Sequence, residues 1–179
     1  MANSFDNGMT GQSVIILGSA RSDGYSAQMA HRIATRIEAK VIDLKNYEIA
    51  HYDYNHNYKN DDFIELIQEL VIQADTLILA TPVYWYSMSG RMKVFLDRFT
   101  DLLKVEKDLG RQLRGKSLAV FTTSNGGNLG DDFWIPFIET AGYLGMKYLA
   151  NAHYLDDDLD QEGLELDFVN NLLTTQSNL

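Results

Sequence analysis

The sequence predicts an α/β domain built on a buried parallel sheet, and three observations carry that prediction. Five short apolar runs recur along the 179 residues. Each is nearly continuous rather than alternating, as in strands covered on both faces. Between the runs lie segments whose apolar residues repeat at helical spacing. Strands that alternate with helices in this way pair in parallel through right-handed crossovers.

The elements follow in order. The first strand, Ser13–Leu17, leads to a segment in which Met29, Ala30, Ile33, Ala34 and Ile37 share a helical face. The second strand is Lys40–Leu44, followed by a long loop, Asn46–Asn60, rich in Tyr, His and Asn. Phe63, Ile64, Leu66, Ile67, Leu70 and Val71 then mark a helix, with Asp62 and Glu65 at capping-box positions. The third strand, Thr76–Thr81, breaks at Pro82, and a stripe of Met88, Met92, Phe95, Leu96, Phe99, Leu102 and Leu103 follows. A second long loop, Val105–Lys116, carries most of the local basic charge. After the fourth strand, Ser117–Thr122, comes a helix bearing Phe133, Phe137, Ala141 and Leu144. Pro136 suits its first turn and Gly145 its C′ stop. Lys147–Ala150 forms the fifth strand, and Leu164, Phe168, Val169, Leu172 and Leu173 the last helix. At this size the flavodoxin-like order 2-1-3-4-5 is the economical arrangement, with its switch point between the first and third strands. No internal repeat or linker is visible. The expectation is a single domain over residues 13–179, behind a flexible polar leader of residues 1–12.

Composition narrows the function. The formal charge of −10 argues against nucleic acid, which requires a concentrated basic face. Much of the acid lies late, in Asp156, Asp157, Asp158, Asp160, Glu162, Glu165 and Asp167, and its ordinary use is solubility. Cysteine is absent, excluding disulfides, thiolate catalysis and cysteine-held iron–sulfur clusters. No run approaches the ~20 apolar residues of a membrane span, and the polar start lacks the order of a secretory signal. The expected location is cytoplasmic. His31 has charged neighbours on its helix, while His51, His56 and His153 read as loop residues without ligand spacing. Asp156, Asp157 and Asp158 lack an EF-hand pattern, so no metal site is expected.

Three loops, each at the carboxyl end of a strand, carry the chemistry. Gly18-Ser19-Ala20-Arg21-Ser22-Asp23-Gly24-Tyr25-Ser26 follows a strand and opens a helix, so free backbone N–H groups face the turn. Ser19, Ser22 and Ser26 add hydroxyls, and Arg21 offers a planar fork suited to phosphate. Gly24 lets the chain wrap closely. The loop lacks the Walker ending and the GxGxxG pattern, and an ordinary polar cap is its alternative reading. In the second loop Pro82 fixes the exit of the strand, and the amides beyond it can face the pyrimidine edge of a flavin. Val83 follows, and Tyr84, Trp85 and Tyr86 can stack on a flat ring, or else form core or a dimer contact. In the third, Ser124, Asn125, Gly126 and Gly127 suit close approach to a flat ligand, although hairpin turns use the same residues. A phosphate at one loop and a planar ring at another describe a flavin mononucleotide site.

At these residues a resemblance enters. GSARSDGYS is similar to the G-S-x-R-x-x-G-x-S/T phosphate loop of the NADPH-dependent FMN reductases, a group of flavodoxin-like oxidoreductases. TPVYWYSMSGRMKVFLDR resembles that family's T-P-x-Y segment, including the spacing to its Lys and Asp-Arg. The resemblance spans roughly residues 13–150. It implies that Ser19, Arg21, Tyr25 and Ser26 hold the FMN phosphate. Pro82, Val83, Tyr84, Trp85 and Tyr86 would line the isoalloxazine, opposite Ser124, Gly126 and Gly127. Lys93, Asp97 and Arg98 match the family helix, where Lys93 and Asp97 can pair four residues apart. The expected activity is ping-pong hydride transfer from NADPH or NADH, through flavin N5, to a small acceptor such as a quinone, azo or nitro compound. No protein acid–base dyad is expected, because the flavin supplies the reactivity. Dimerisation is implied by the resemblance alone. Two rivals are a flavodoxin-type electron carrier, which the acidic surface favours, and a flavin-binding regulatory module.

Overall fold

The computed structural model describes residues 12–58, 61–156 and 162–176. Most of the leader, and Asp157, Asp158 and Asp160, lie outside the described residues. The elements are β1 (Ser13–Leu17), α1 (Tyr25–Ile37), β2 (Lys40–Asp43), α2 (Phe63–Gln73), β3 (Thr76–Tyr84) and β4 (Ser87–Met88). Then come α3 (Gly90–Asp97), α4 (Phe99–Lys104), α5 (Lys107–Arg111), β5 (Ser117–Ser124), α6 (Ile135–Leu144), β6 (Lys147–Leu155) and α7 (Glu162–Gln176). Single 3₁₀ turns occupy Leu44–Asn46 and Asp131–Trp134.

The parallel strands lie in the order β2-β1-β3-β5-β6. With the short β4 set aside, this is the expected 2-1-3-4-5. Alternate residues explain the continuous apolar runs. Val14, Ile16, Leu77, Leu79, Leu118 and Val120 face a core shared with α2, α3 and α6. Ile15, Leu17, Ile78, Ala80, Ala119 and Phe121 face a second core shared with α1 and α7. Burying both faces leaves no polar position in the middle of a strand. β6 is an edge strand with a register shift opposite Leu118 and Ala119, which is why its apolar signal is weaker.

Several boundaries differ from expectation. β3 does not end before Pro82 but runs to Tyr84, then folds back antiparallel, pairing Val83 with Met88 and Tyr84 with Ser87. Asp62 precedes α2 without capping it; its carboxylate instead accepts a 2.7 Å bond from the Glu48 N–H. The loop Val105–Lys116 contains α5. Gly145 stops α6 with φ +72°, as its position suggested. Part of the acidic segment is structural. Glu165 is buried on α7, paired with Arg36 and, at 2.6 Å, with Arg32, both on α1.

The third apolar stripe is two helices, not one, and the break falls at Arg98. This side chain is only 1% exposed. Its guanidinium pairs with Asp61, donates from Nε to Asp101 at 2.7 Å and bonds the Ala50 carbonyl at 3.0 Å. It also stacks 3.7 Å from the centre of the Tyr58 ring. Burial pushes the Tyr58 phenol up to about 12, helped by its bond to Asp101, so the phenol stays a donor. For Asp61 burial opposes ionisation, but the bonds from Arg98 and from the Ala50 and Phe63 amides hold its carboxyl below the ordinary value. The long loop after β2 is thus pinned to the α3–α4 junction by one buried cation.

Candidate cofactor crevice

Parallel pairing brings the carboxyl ends of β1, β3 and β5 side by side, with Leu17 opposite Ala80 and Ala80 opposite Phe121. The Gly18 N–H continues the ladder to the Ala80 carbonyl at 2.8 Å. Ser89 ties the first two loops together. Its hydroxyl donates to the Gly18 carbonyl and accepts from the Met92 N–H at 3.1 Å, while its own N–H donates to Thr81 Oγ1 at 3.0 Å. A Cβ on Gly18 would come within 2.9 Å of Met92 Cβ, so only glycine lets β1 leave the sheet this close to α3.

The first loop ends at Gly24, which precedes α1 without a side-chain cap, and no acidic residue occupies the first turn. The Arg21 side chain lies across Gly24, its guanidinium at van der Waals distance from a Cβ built there. Arg21 forms no salt bridge among the described residues. An uncapped helix start beneath an exposed guanidinium is an anion-binding arrangement. The serines divide in role. Ser19 Oγ accepts from the Arg21 N–H at 3.2 Å and shapes the turn. Ser22 donates to Asp43 at 2.7 Å, bracing the loop against β2. Ser26 is buried, its hydroxyl 2.5 Å from Thr123 Oγ1. Tyr25 is half-buried at the start of α1.

The second loop is the tip of the β3–β4 hairpin. Pro82 and Val83 lie half-buried in the strand, and Tyr84 is about half exposed at its end. Trp85 and Tyr86 form the two-residue turn with φ of +49° and +63°, and they are 94% and 74% exposed. Such turns favour Asn and Gly, because a left-handed residue with a Cβ costs about 1–2 kcal/mol. Two large aromatics are held there with little packed against them.

The third loop leaves β5 through three consecutive hydroxyls. Thr122 donates to the Thr81 carbonyl at 2.6 Å, Thr123 meets Ser26, and Ser124 donates to the Gly126 carbonyl at 2.8 Å. Asn125, Gly126 and Gly127 are exposed, and a Cβ on either glycine would meet nothing within 4 Å. All three loops therefore open on one edge of the sheet.

His153 is a correction. The expected fifth strand, Lys147–Ala150, leaves His153 in a loop. It sits half-buried on β6, opposite Thr122, with Nε2 2.7 Å from Ser124 Oγ. Period-two continuation through Ala152, His153 and Tyr154 was the available signal. The single Ser124 proton goes to Gly126, so the neutral ring donates from Nε2. Burial lowers the pKa of His153, so the unfolded chain binds its proton first as pH falls. Stability is then whole above the ordinary value of about 6.5 and declines below it. Urea midpoints measured from pH 7.5 to 5.0 should fall less for His153→Gln than for the parent protein; identical slopes would refute this linkage.

Of the other histidines, His31 is exposed on α1 and His51 in the loop after β2. His56 lies 3.3 Å from Asp101. Among the described residues no group of three His, Asp or Glu side chains could hold a metal, and no helix is long and apolar enough to cross a membrane.

Comparison with known proteins shows the family and the fold. Residues 12–159 match the family model described as NADPH-dependent FMN reductase. YwqN of Bacillus subtilis (strain 168), named an NAD(P)H-dependent FMN-containing oxidoreductase, is 32% identical over 96 residues, 50% of this chain and 52% of that protein. An NADPH azoreductase of Bacillus sp. (strain OY1-2) is 32% identical over 84 residues, 47% of each chain. The chain thus spans about half the length of the curated relatives it matches. Among solved structures, the Trp repressor binding protein of Bacillus subtilis superposes with a TM-score of 0.69 at 20% identity, covering 89% of this chain and 98% of that one.

Proposed function

Because this chain belongs to the family of NADPH-dependent FMN reductases, we propose that it binds FMN along the β1, β3 and β5 loop edge and oxidises NAD(P)H with it. The acceptor is a small oxidised molecule of the quinone, azo or nitro kind. One observation carries the reading: an uncapped helix start under Arg21 and an exposed aromatic turn lie at the ends of neighbouring strands. The first suits a phosphate monoester and the second a planar heterocycle.

The residues present fit that cofactor. Arg21 and the α1 amides would hold the phosphate, with Ser19, Ser22, Gly24, Tyr25 and Ser26 shaping the loop around it. Tyr84, Trp85 and Tyr86 would cover the ring system beyond Pro82 and Val83. Ser124, Asn125, Gly126 and Gly127 would border its other side, where the glycines leave open space. The chemistry FMN supplies when bound is two-electron transfer between a reduced nicotinamide and the acceptor. The protein contributes orientation, exclusion of water by the aromatic turn, and amide dipoles aimed at developing negative charge. The exposed Trp85-Tyr86 turn also supports a homodimer, in which a second copy would cover part of those rings. An intracellular donor supports a cytoplasmic location.

Purified protein should show oxidised-flavin absorption that NADPH bleaches anaerobically, and should consume NAD(P)H with a quinone. A well-folded protein that does not retain FMN would overturn the reading. The formal charge of −10 favours one rival, an electron carrier docking on basic partners. Bound FMN without nicotinamide turnover above free FMN would select that rival.

A further inference from the structure

We infer that Arg91 is the donor-selecting residue of this protein, and that it takes the 2′-phosphate of NADPH in a cavity beside the phosphate loop. This rests on the function proposed above and adds which side chain distinguishes NADPH from NADH.

The cavity, about 370 Å³, lies between the segment after β2 and the first turns of α3. Leu44, Tyr47, Ile49 and Val94 give it apolar and aromatic walls, and Arg91 and His51 supply its nitrogen donors. Both walls are fastened to the phosphate loop. Arg91 stands two residues past Ser89, which holds the Gly18 carbonyl. Leu44 follows Asp43, which holds Ser22. Through these two links the cavity walls are joined to the phosphate loop.

Unlike half of the described cations, Arg91 has no carboxylate partner among the described residues. In a chain of net charge −10, Arg32, Arg36, Lys40, Lys93, Arg98, Arg111 and Lys116 all pair with carboxylates. Among the described residues Arg91 forms no salt bridge, and its recorded contact is one bond from Nη1 to the Leu44 carbonyl at 3.3 Å. Its remaining donors are a planar fork matched to phosphate oxygens. At this end of the sheet the arginines lacking a carboxylate, among the described residues, are Arg21 and Arg91. Arg21 answers the phosphate of FMN, leaving Arg91 for a second phosphate. Tyr47 offers a face on which adenine can stack, and the volume is room enough for a nucleoside monophosphate.

The test compares Arg91→Gln, which can keep the bond to Leu44, and Arg91→Lys, which keeps the charge. With FMN-loaded protein and one fixed quinone, kcat/KM should favour NADPH over NADH by about tenfold or more. That ratio should fall toward one in Arg91→Gln and recover in part in Arg91→Lys. Independently of turnover, calorimetry should find 2′,5′-ADP bound about tenfold more tightly than 5′-AMP by the parent protein and equally by Arg91→Gln. An unchanged NADPH:NADH ratio in Arg91→Gln, or 2′,5′-ADP bound no better than 5′-AMP, overturns the inference. If neither nicotinamide bleaches bound FMN, the proposed function itself fails, and the two failures are distinguishable.

Discussion

Arg98→Ala is expected to lower the unfolding free energy by about 3–5 kcal/mol, because it strands two carboxylates whose charge the arginine neutralises in the interior. Asp61 and Asp101 are mostly shielded from water, at 11% and 4% side-chain exposure. The Ala50 carbonyl and the face of Tyr58 lose their partner as well. Domains of this kind are stable by about 5–15 kcal/mol, so the loss is a large share of the total. Arg98→Lys should recover little, since an ammonium cannot make the forked contact to Asp61 and the Nε contact to Asp101 together. Urea unfolding should register a lower midpoint for both variants, with faster proteolysis within residues 46–58. A midpoint within experimental error of the parent would mean that the cation cluster does not hold the loop.

Arg21→Ala is expected to weaken FMN binding by about 10- to 100-fold, the size of a lost charge-assisted contact to phosphate. Riboflavin, which has no phosphate, should bind the variant and the parent equally. Fluorescence titration of the apoprotein with both flavins reads the two affinities directly. Because the guanidinium lies over Gly24 rather than in the core, folding should be unaffected. Equal loss for riboflavin and FMN would move Arg21 from phosphate recognition to general shaping of the loop. No loss for either would place the anion site elsewhere.

The strands of the sheet were legible because burial on both faces writes itself into composition, and their order followed from the economical arrangement at this size. Val14 through Leu17 and Leu77 through Ala80 contain no polar residue, since consecutive side chains point into different cores. The same logic explains where legibility stopped. The expected end of β3 at Thr81 follows from proline being poor in a central strand. Pro82 still pairs with Thr123, however, and beyond it the strand turns back on β4 in a hairpin of two residue pairs that has no period to detect. The left-handed Trp85-Tyr86 turn carries none of the Asn or Gly that usually announces one. His153 was missed because an edge strand with a register shift tolerates Asn151 and a histidine where a central strand does not.

The candidate site divides along the same line. Its loops were recognisable from local chemistry: glycine, serine and arginine between a strand and a helix, then aromatics after a strand. Which hydroxyls remain available for a ligand was not. Ser22 is taken by Asp43 and Ser26 by Thr123, partners 21 and 97 residues away in the chain. Arg98 is the sharpest case, a charged residue in an apolar stripe whose burial depends on Asp61 and Ala50 arriving from another loop.

By itself the sequence determined the α/β class and the positions of the parallel strands along the chain, because periodicity and turn chemistry act between near neighbours. Tertiary structure alone decided which arginine is buried among carboxylates, which two stay open at the sheet's carboxyl end, and which serines are spent on the fold. Those outcomes depend on groups far apart in the chain meeting within hydrogen-bond range, and a one-dimensional pattern holds no record of such meetings.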